Sequence, residues 1–79
     1  MDSLTLAKQI LISNLQLTNV ELTPDTRIAG DFPQFNSLTI AGIIASIEDE
    51  TGSTVDDEEI SAELFETVGS LAAFIESKS

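Results

Sequence analysis

Cysteine and histidine are both absent from this 79-residue chain, and so are tryptophan and tyrosine. Without thiols there are no disulfides, no cysteine nucleophile and no thiolate metal ligand. Without imidazole the usual general base near neutral pH is missing. Any sulfur chemistry has to be brought in from outside. Basic residues are almost absent too: Lys8, Arg27 and Lys78 stand against fourteen Asp and Glu, a formal charge of −11. Residues 1–27 nearly balance, with Asp2, Glu21 and Asp25 against Lys8 and Arg27, whereas residues 28–77 hold eleven acids and no base. Such a surface repels nucleic acid and anionic membranes and steers basic protein patches toward itself. Its self-repulsion makes a prediction: added salt or divalent cations should raise the melting temperature, and a melting curve indifferent to both would contradict it.

Long apolar runs are also lacking. The longest uncharged one, Ile40 to Ala45, is far too short to cross a bilayer. Met1-Asp2-Ser3-Leu4-Thr5 has no basic start and no apolar run of a secretory signal, so the expected location is the cytoplasm. The length fits one domain over residues 1–79, with one modest core and no deep enclosed active site.

What is present is helical periodicity. Leu4, Ala7, Leu11 and Leu15, broadened by Leu6, Ile10 and Leu17, predict a helix over 3–17 packed against two neighbours, with Asp2 or Ser3 as its cap. From Thr18 to Asn36 no helical period survives, and Pro24 and Pro33 punctuate the stretch. The recurrence of Val20, Leu22, Ile28, Phe32 and Phe35 predicts a long ordered loop pinned to the core.

A second helix is expected from Asn36 or Ser37 to Thr51, stopped by Gly52, with Ile40, Ile43, Ile44 and Ile47 as its buried stripe. Seven carboxylates then crowd residues 48–59. Their spacing lacks the alternating ligands and central glycine of a calcium loop, so no metal site is assigned. Asp56 with Glu59 instead forms a capping-box pattern that opens a short third helix. Thr67 caps a last helix whose stripe is Val68, Leu71, Ala72 and Ile75. Gly69 inside it costs about 1 kcal/mol relative to alanine, so either close packing requires it or the helix is marginal. The fold expected is all-α: three main helices, a short third one, and a long loop between the first two.

Leu38 falls almost opposite the isoleucine stripe, with Gly42 and Ala45 beside it and Asp49 ending the row. A leucine beside a helix-starting serine, on a ridge of small residues edged by acids, reads as a docking surface. Ser37 is a good residue at a helix start in any case. A phosphate ester on its hydroxyl would also meet unpaired N–H groups and the positive end of the helix dipole. With no histidine in the chain and no lysine near it in sequence, Ser37 is better suited to being another enzyme's substrate than a nucleophile.

These features together resemble the acyl carrier proteins over essentially the whole chain. Asn36-Ser37-Leu38 matches the family's Asp-Ser-Leu, followed by Thr39 to Ile47, Glu48-Asp49-Glu50, Val55-Asp56-Asp57-Glu58-Glu59 and Thr67-Val68-Gly69-Ser70-Leu71. The resemblance implies an acyl-carrier-like four-helix bundle, not an enzyme, with 4′-phosphopantetheine on Ser37, attached from coenzyme A by a phosphopantetheinyl transferase. It implies acyl groups held as thioesters on that arm, and a monomer that serves acyl-loading and acyl-transfer enzymes with basic docking patches. Asn36, Leu38, Ala45, Glu48 and Asp49 would be the partner-facing residues. Two departures stand out: Asn36 replaces the family's aspartate, and Gly42 and Ala45 occupy a face commonly bulkier or more acidic in fatty-acid carriers. Both point to a dedicated carrier in a specialised lipid, polyketide or polysaccharide-related pathway. The paired glycines of peptide-synthetase carriers are missing. The rival reading is an unmodified acidic helical adaptor that only binds proteins, and the neutral Asn36 is the feature that supports it.

Overall fold

The computed structural model describes residues 2–18 and 20–78; Met1, Asn19 and Ser79 lie outside the described residues. Its elements are α1 (Ser3–Leu15), α2 (Ile28–Asp31), α3 (Ser37–Thr51), a 3-10 turn (Asp57–Glu59) and α4 (Val68–Lys78). No strand forms among the described residues, and none of the helices is long and apolar enough to cross a membrane.

Helix α1 is capped by Asp2, whose carboxylate accepts the Thr5 N–H at 2.7 Å. That hydrogen bond holds the Asp2 carboxyl below the usual carboxylate range, because it favours the charged form. The helix ends at Leu15, two residues earlier than its periodicity predicts. Gln16 turns left-handed at φ 54°, and the Leu17 N–H folds back onto the Ile12 carbonyl at 3.1 Å. Leu17 is buried all the same, through the turn rather than the helix.

Ala7, Ile10, Leu11 and Leu15 of α1 pack between α3 and α4. Opposite them stand Ile43 and Ile47 from α3, and Val68, Leu71, Ala72 and Ile75 from α4. Ile40 and Ile44 do not complete the expected buried stripe of four. They are only half-buried, on the flank of α3 that turns toward Ile60.

The loop between α1 and α3 is pinned, but not by all five apolar residues expected. Leu22, Ile28 and Phe32 are buried and Phe35 is half-buried against the ring of Phe65, 5.1 Å between centroids. Val20 remains 40% exposed and pins nothing. The loop also contains the one-turn helix α2, too short to show a period in the sequence. Much of its anchorage is backbone pairing with the segment before α4: Ile28 N–H to Glu66 O at 3.3 Å, Val68 N–H to Thr26 O at 2.9 Å, and Gly69 N–H to Pro24 O at 2.9 Å.

That last contact explains Gly69. A methyl group there would sit 3.0 Å from the Pro24 carbonyl oxygen, a backbone atom already fixed by its hydrogen bond. Gly69→Ala should therefore lower stability by about 1–2 kcal/mol in denaturant titration, despite alanine's higher helix propensity. A stabilised variant would show that the loop moves aside freely.

Candidate functional site

The start of α3 is built by Asn36. Its side-chain oxygen accepts the N–H groups of Leu38 at 2.9 Å and Thr39 at 3.2 Å, and its own N–H donates to the Thr39 hydroxyl at 2.8 Å. This reciprocal box fixes the first turn. It also corrects an expectation: the Leu38 and Thr39 N–H groups are occupied by Asn36 and are not free to receive a phosphate ester. What remains for an anion is the Ser37 N–H, which has no partner among the described residues, and the positive end of a 15-residue helix dipole.

Ser37, the first residue of α3, is exposed, and its hydroxyl makes no hydrogen bond among the described residues. Residues 32–47 carry no charge, so the serine sits in a neutral window within an acidic half of the chain. On one side of it lies an open groove of about 400 Å³. Ile40, Ala41, Ile44, Ala45 and Ile60 form its apolar lining, and Glu48 and Asp57 add carboxylates. A second groove of about 380 Å³, which Ser37 itself does not line, is formed by Asn14, Gln16, Gln34 and Asn36 together with Leu15, Leu38 and Thr39.

The residues expected to meet partners are placed differently from one another. Leu38 is 85% exposed, the most prominent apolar side chain of α3. Asn36, Ala45 and Asp49 are exposed. Glu48 is half-buried and accepts the Val55 N–H at 2.7 Å, so one of its oxygens holds the loop after α3. Gly42 leaves the outward row: a methyl there would meet the Asn14 side-chain oxygen, so this edge of α3 packs on α1. Asp49 belongs to a separate groove between α1 and α3, with Gln9, Ser13 and Ser46. Only Ala45 and Glu48 share the apolar groove with Ser37.

The far wall of that groove, Asp57 and Ile60, was not read as part of the site. Its position depends on a clamp from α4: Lys78 pairs with Glu59, while the Ser53 hydroxyl donates to the Lys78 carbonyl at 2.8 Å. Glu59 also accepts the Asp56 N–H at 2.9 Å, one half of the predicted capping box, although the short third helix expected here is a single 3-10 turn. The Lys78 hydrogen bond, followed by that from Asp56, holds the Glu59 carboxyl below its ordinary range. The capping box was legible in sequence; the partner nineteen residues on was not.

The Ser37 hydroxyl is thus exposed, unengaged, at a fixed helix start and beside an apolar groove. The family model described as the phosphopantetheine attachment site matches residues 5–75. The chain belongs to that family. It is also similar to a holo acyl carrier protein from Nitrosomonas europaea solved by NMR in solution, with 38% identity and a TM-score of 0.87. That match covers 99% of this chain and 96% of the other. The chain is thus a carrier protein rather than an enzyme, with an acyl-carrier fold and 4′-phosphopantetheine as its covalent cofactor. The geometry fits such a group, since the Ser37 hydroxyl is accessible at the positive end of the α3 dipole, with Glu48 and Asp57 the carboxylates that share its groove. The cofactor supplies the thiol that a cysteine-free chain lacks.

Proposed function

We propose that Ser37 carries the phosphopantetheine arm and that the protein delivers acyl groups, held as thioesters, between partner enzymes. The observation that carries this reading is the exposed, unengaged Ser37 hydroxyl at the capped start of α3, on the rim of an apolar groove. In the modification, Ser37 Oγ forms the new bond to the pantetheine-bearing phosphorus of coenzyme A. The pyrophosphate bond breaks, the adenosine bisphosphate portion leaves, and the serine proton passes to the transferase. Asn36 holds the first turn while this happens, and the chain itself needs no general base.

The partners are a phosphopantetheinyl transferase and the acyl-loading and acyl-transfer enzymes of a specialised lipid, polyketide or polysaccharide-related pathway. Their basic patches meet an acidic monomer in the cytoplasm. Leu38 is the apolar anchor of this contact, with Asn36, Ala45, Glu48 and Asp49 around it. The groove formed by Ile40, Ile44 and Ile60 has the chemistry to cover the first part of an apolar cargo.

The deciding test is an intact mass spectrum after incubation with coenzyme A and a broad-specificity phosphopantetheinyl transferase. A gain of one phosphopantetheine is expected. No gain, with that enzyme or the host's own, would favour the unmodified adaptor, and Asn36→Asp would then be the first change to try. Leu38→Ala should weaken transfer or partner binding while shifting stability by no more than about 0.5 kcal/mol, as for other exposed side chains. A large fall in its melting temperature would show that the leucine supports the fold.

A further inference from the structure

The carboxamide groove beside Ser37 carries an inference that rests on the attachment reading above. We propose that this groove is the resting place of the tethered arm, whose amide-bearing middle lies along Gln16 and Gln34 when no partner holds it. Four observations converge on that occupant.

The first is chemical. Asn14, Gln16, Gln34 and Asn36 line the groove with Leu15, Leu38 and Thr39 and bring no charge, whereas the apolar groove carries Glu48 and Asp57. Pantetheine is neutral between its phosphate and its thiol, and its two amides and one hydroxyl both donate and accept. Carboxamides answer both kinds of group. The second is that two of these side chains are wholly unspent, whereas the Asn14 NH₂ donates to the Ile10 carbonyl and lies against the Ser46 hydroxyl. Neither Gln16 nor Gln34 makes a side-chain hydrogen bond among the described residues, and Asn36 uses only its oxygen in the helix cap.

The third is Gln16 itself. It occupies the left-handed position that ends α1, at φ 54°, where glycine is the favoured residue. The turn that ends α1 thus fixes the backbone of Gln16 at the lip of the groove. The fourth is tethering. Asn36 and Leu38, which line the groove, flank the attachment residue, so the arm is at millimolar effective concentration and weak contacts suffice to hold it. Leu38 supplies the apolar surface for the branched dimethyl carbon next to the phosphate.

The test compares apo and holo protein by NMR, with conversion verified by intact mass. Expected in the holo form are shifts of the Gln16 and Gln34 side-chain NH₂ signals, which are distant in sequence from Ser37 or separated from it by the cap. Nuclear Overhauser contacts from the arm's methyl groups to Leu38 and from its methylenes to those two amides should accompany them. Gln16→Gly combined with Gln34→Ala should abolish the amide contacts, while Gln16→Gly alone raises the melting temperature and so excludes unfolding as the cause. The proposal is overturned if fully converted protein keeps both glutamine side-chain signals at their apo positions, whether the arm then contacts Ile44 and Ile60 or no residue at all. Absence of any mass gain would instead overturn the attachment reading, and this one with it.

Discussion

Ser37→Ala should eliminate phosphopantetheinylation and all carrier activity while leaving the fold in place. The side chain is exposed, makes no hydrogen bond among the described residues and is not the helix cap, which is Asn36. Losing it should therefore change stability by no more than about 0.5 kcal/mol. The functional loss is complete rather than graded, because no cysteine exists to offer a second thiol and the reading gives no other residue the role. Unchanged circular dichroism and melting, together with zero mass gain, is the expected pair of results. Full activity of the variant in its own pathway would rule out Ser37 as the attachment point.

Ile47→Ala should be strongly damaging, as should truncation of the equally buried Ile43, while leaving the site residues untouched. Ile47 is completely buried, beneath α1 and α4, so its truncation removes apolar burial and leaves a void, at about 2–5 kcal/mol. A chain of this length has only about 4–12 kcal/mol of net stability. The variant should therefore show a large fall in urea midpoint, or be partly unfolded without denaturant. Ile40→Ala is the internal comparison: Ile40 is half-buried on the groove side, and its loss should cost clearly less while altering the groove. Equal costs for the two would mean that the stripe of four is buried uniformly after all.

The sequence revealed what is decided locally. Ile43 and Ile47 followed from period, the start of α3 from the capping chemistry of Asn36, its end from Gly52, and the last helix from Thr67. The family resemblance then pointed to Ser37, the attachment point proposed above. What stayed hidden depends on which elements meet. The periodicity gave Ile40, Ile43, Ile44 and Ile47 equal weight, yet α1 and α4 cover only the middle of that face, and Ile40 and Ile44 became a groove wall. Gly42 was taken for an outward residue because nothing in α3 announces that Asn14 of α1 lies against it. Val20 was counted as an anchor on hydrophobicity alone, and α2 was missed because one turn has no period. Ile60 and Asp57 joined the site through a clamp made by Lys78, a contact between distant segments.

The seam between residues 24–28 and 66–69 has a consequence for when the serine becomes available. Its hydrogen bonds join residues roughly forty positions apart, so forming it requires closing a large loop, whereas each helix closes locally. The segment that leads into Asn36 and Ser37 is moored by this seam and by the Phe35–Phe65 contact. A ribosome-bound chain that has not yet released residues 65–69 lacks those moorings. Ser37 therefore takes up its final setting only once residues 65–69 have emerged, and on the proposed attachment reading a transferase that recognises that setting will modify such chains in preference to shorter nascent ones.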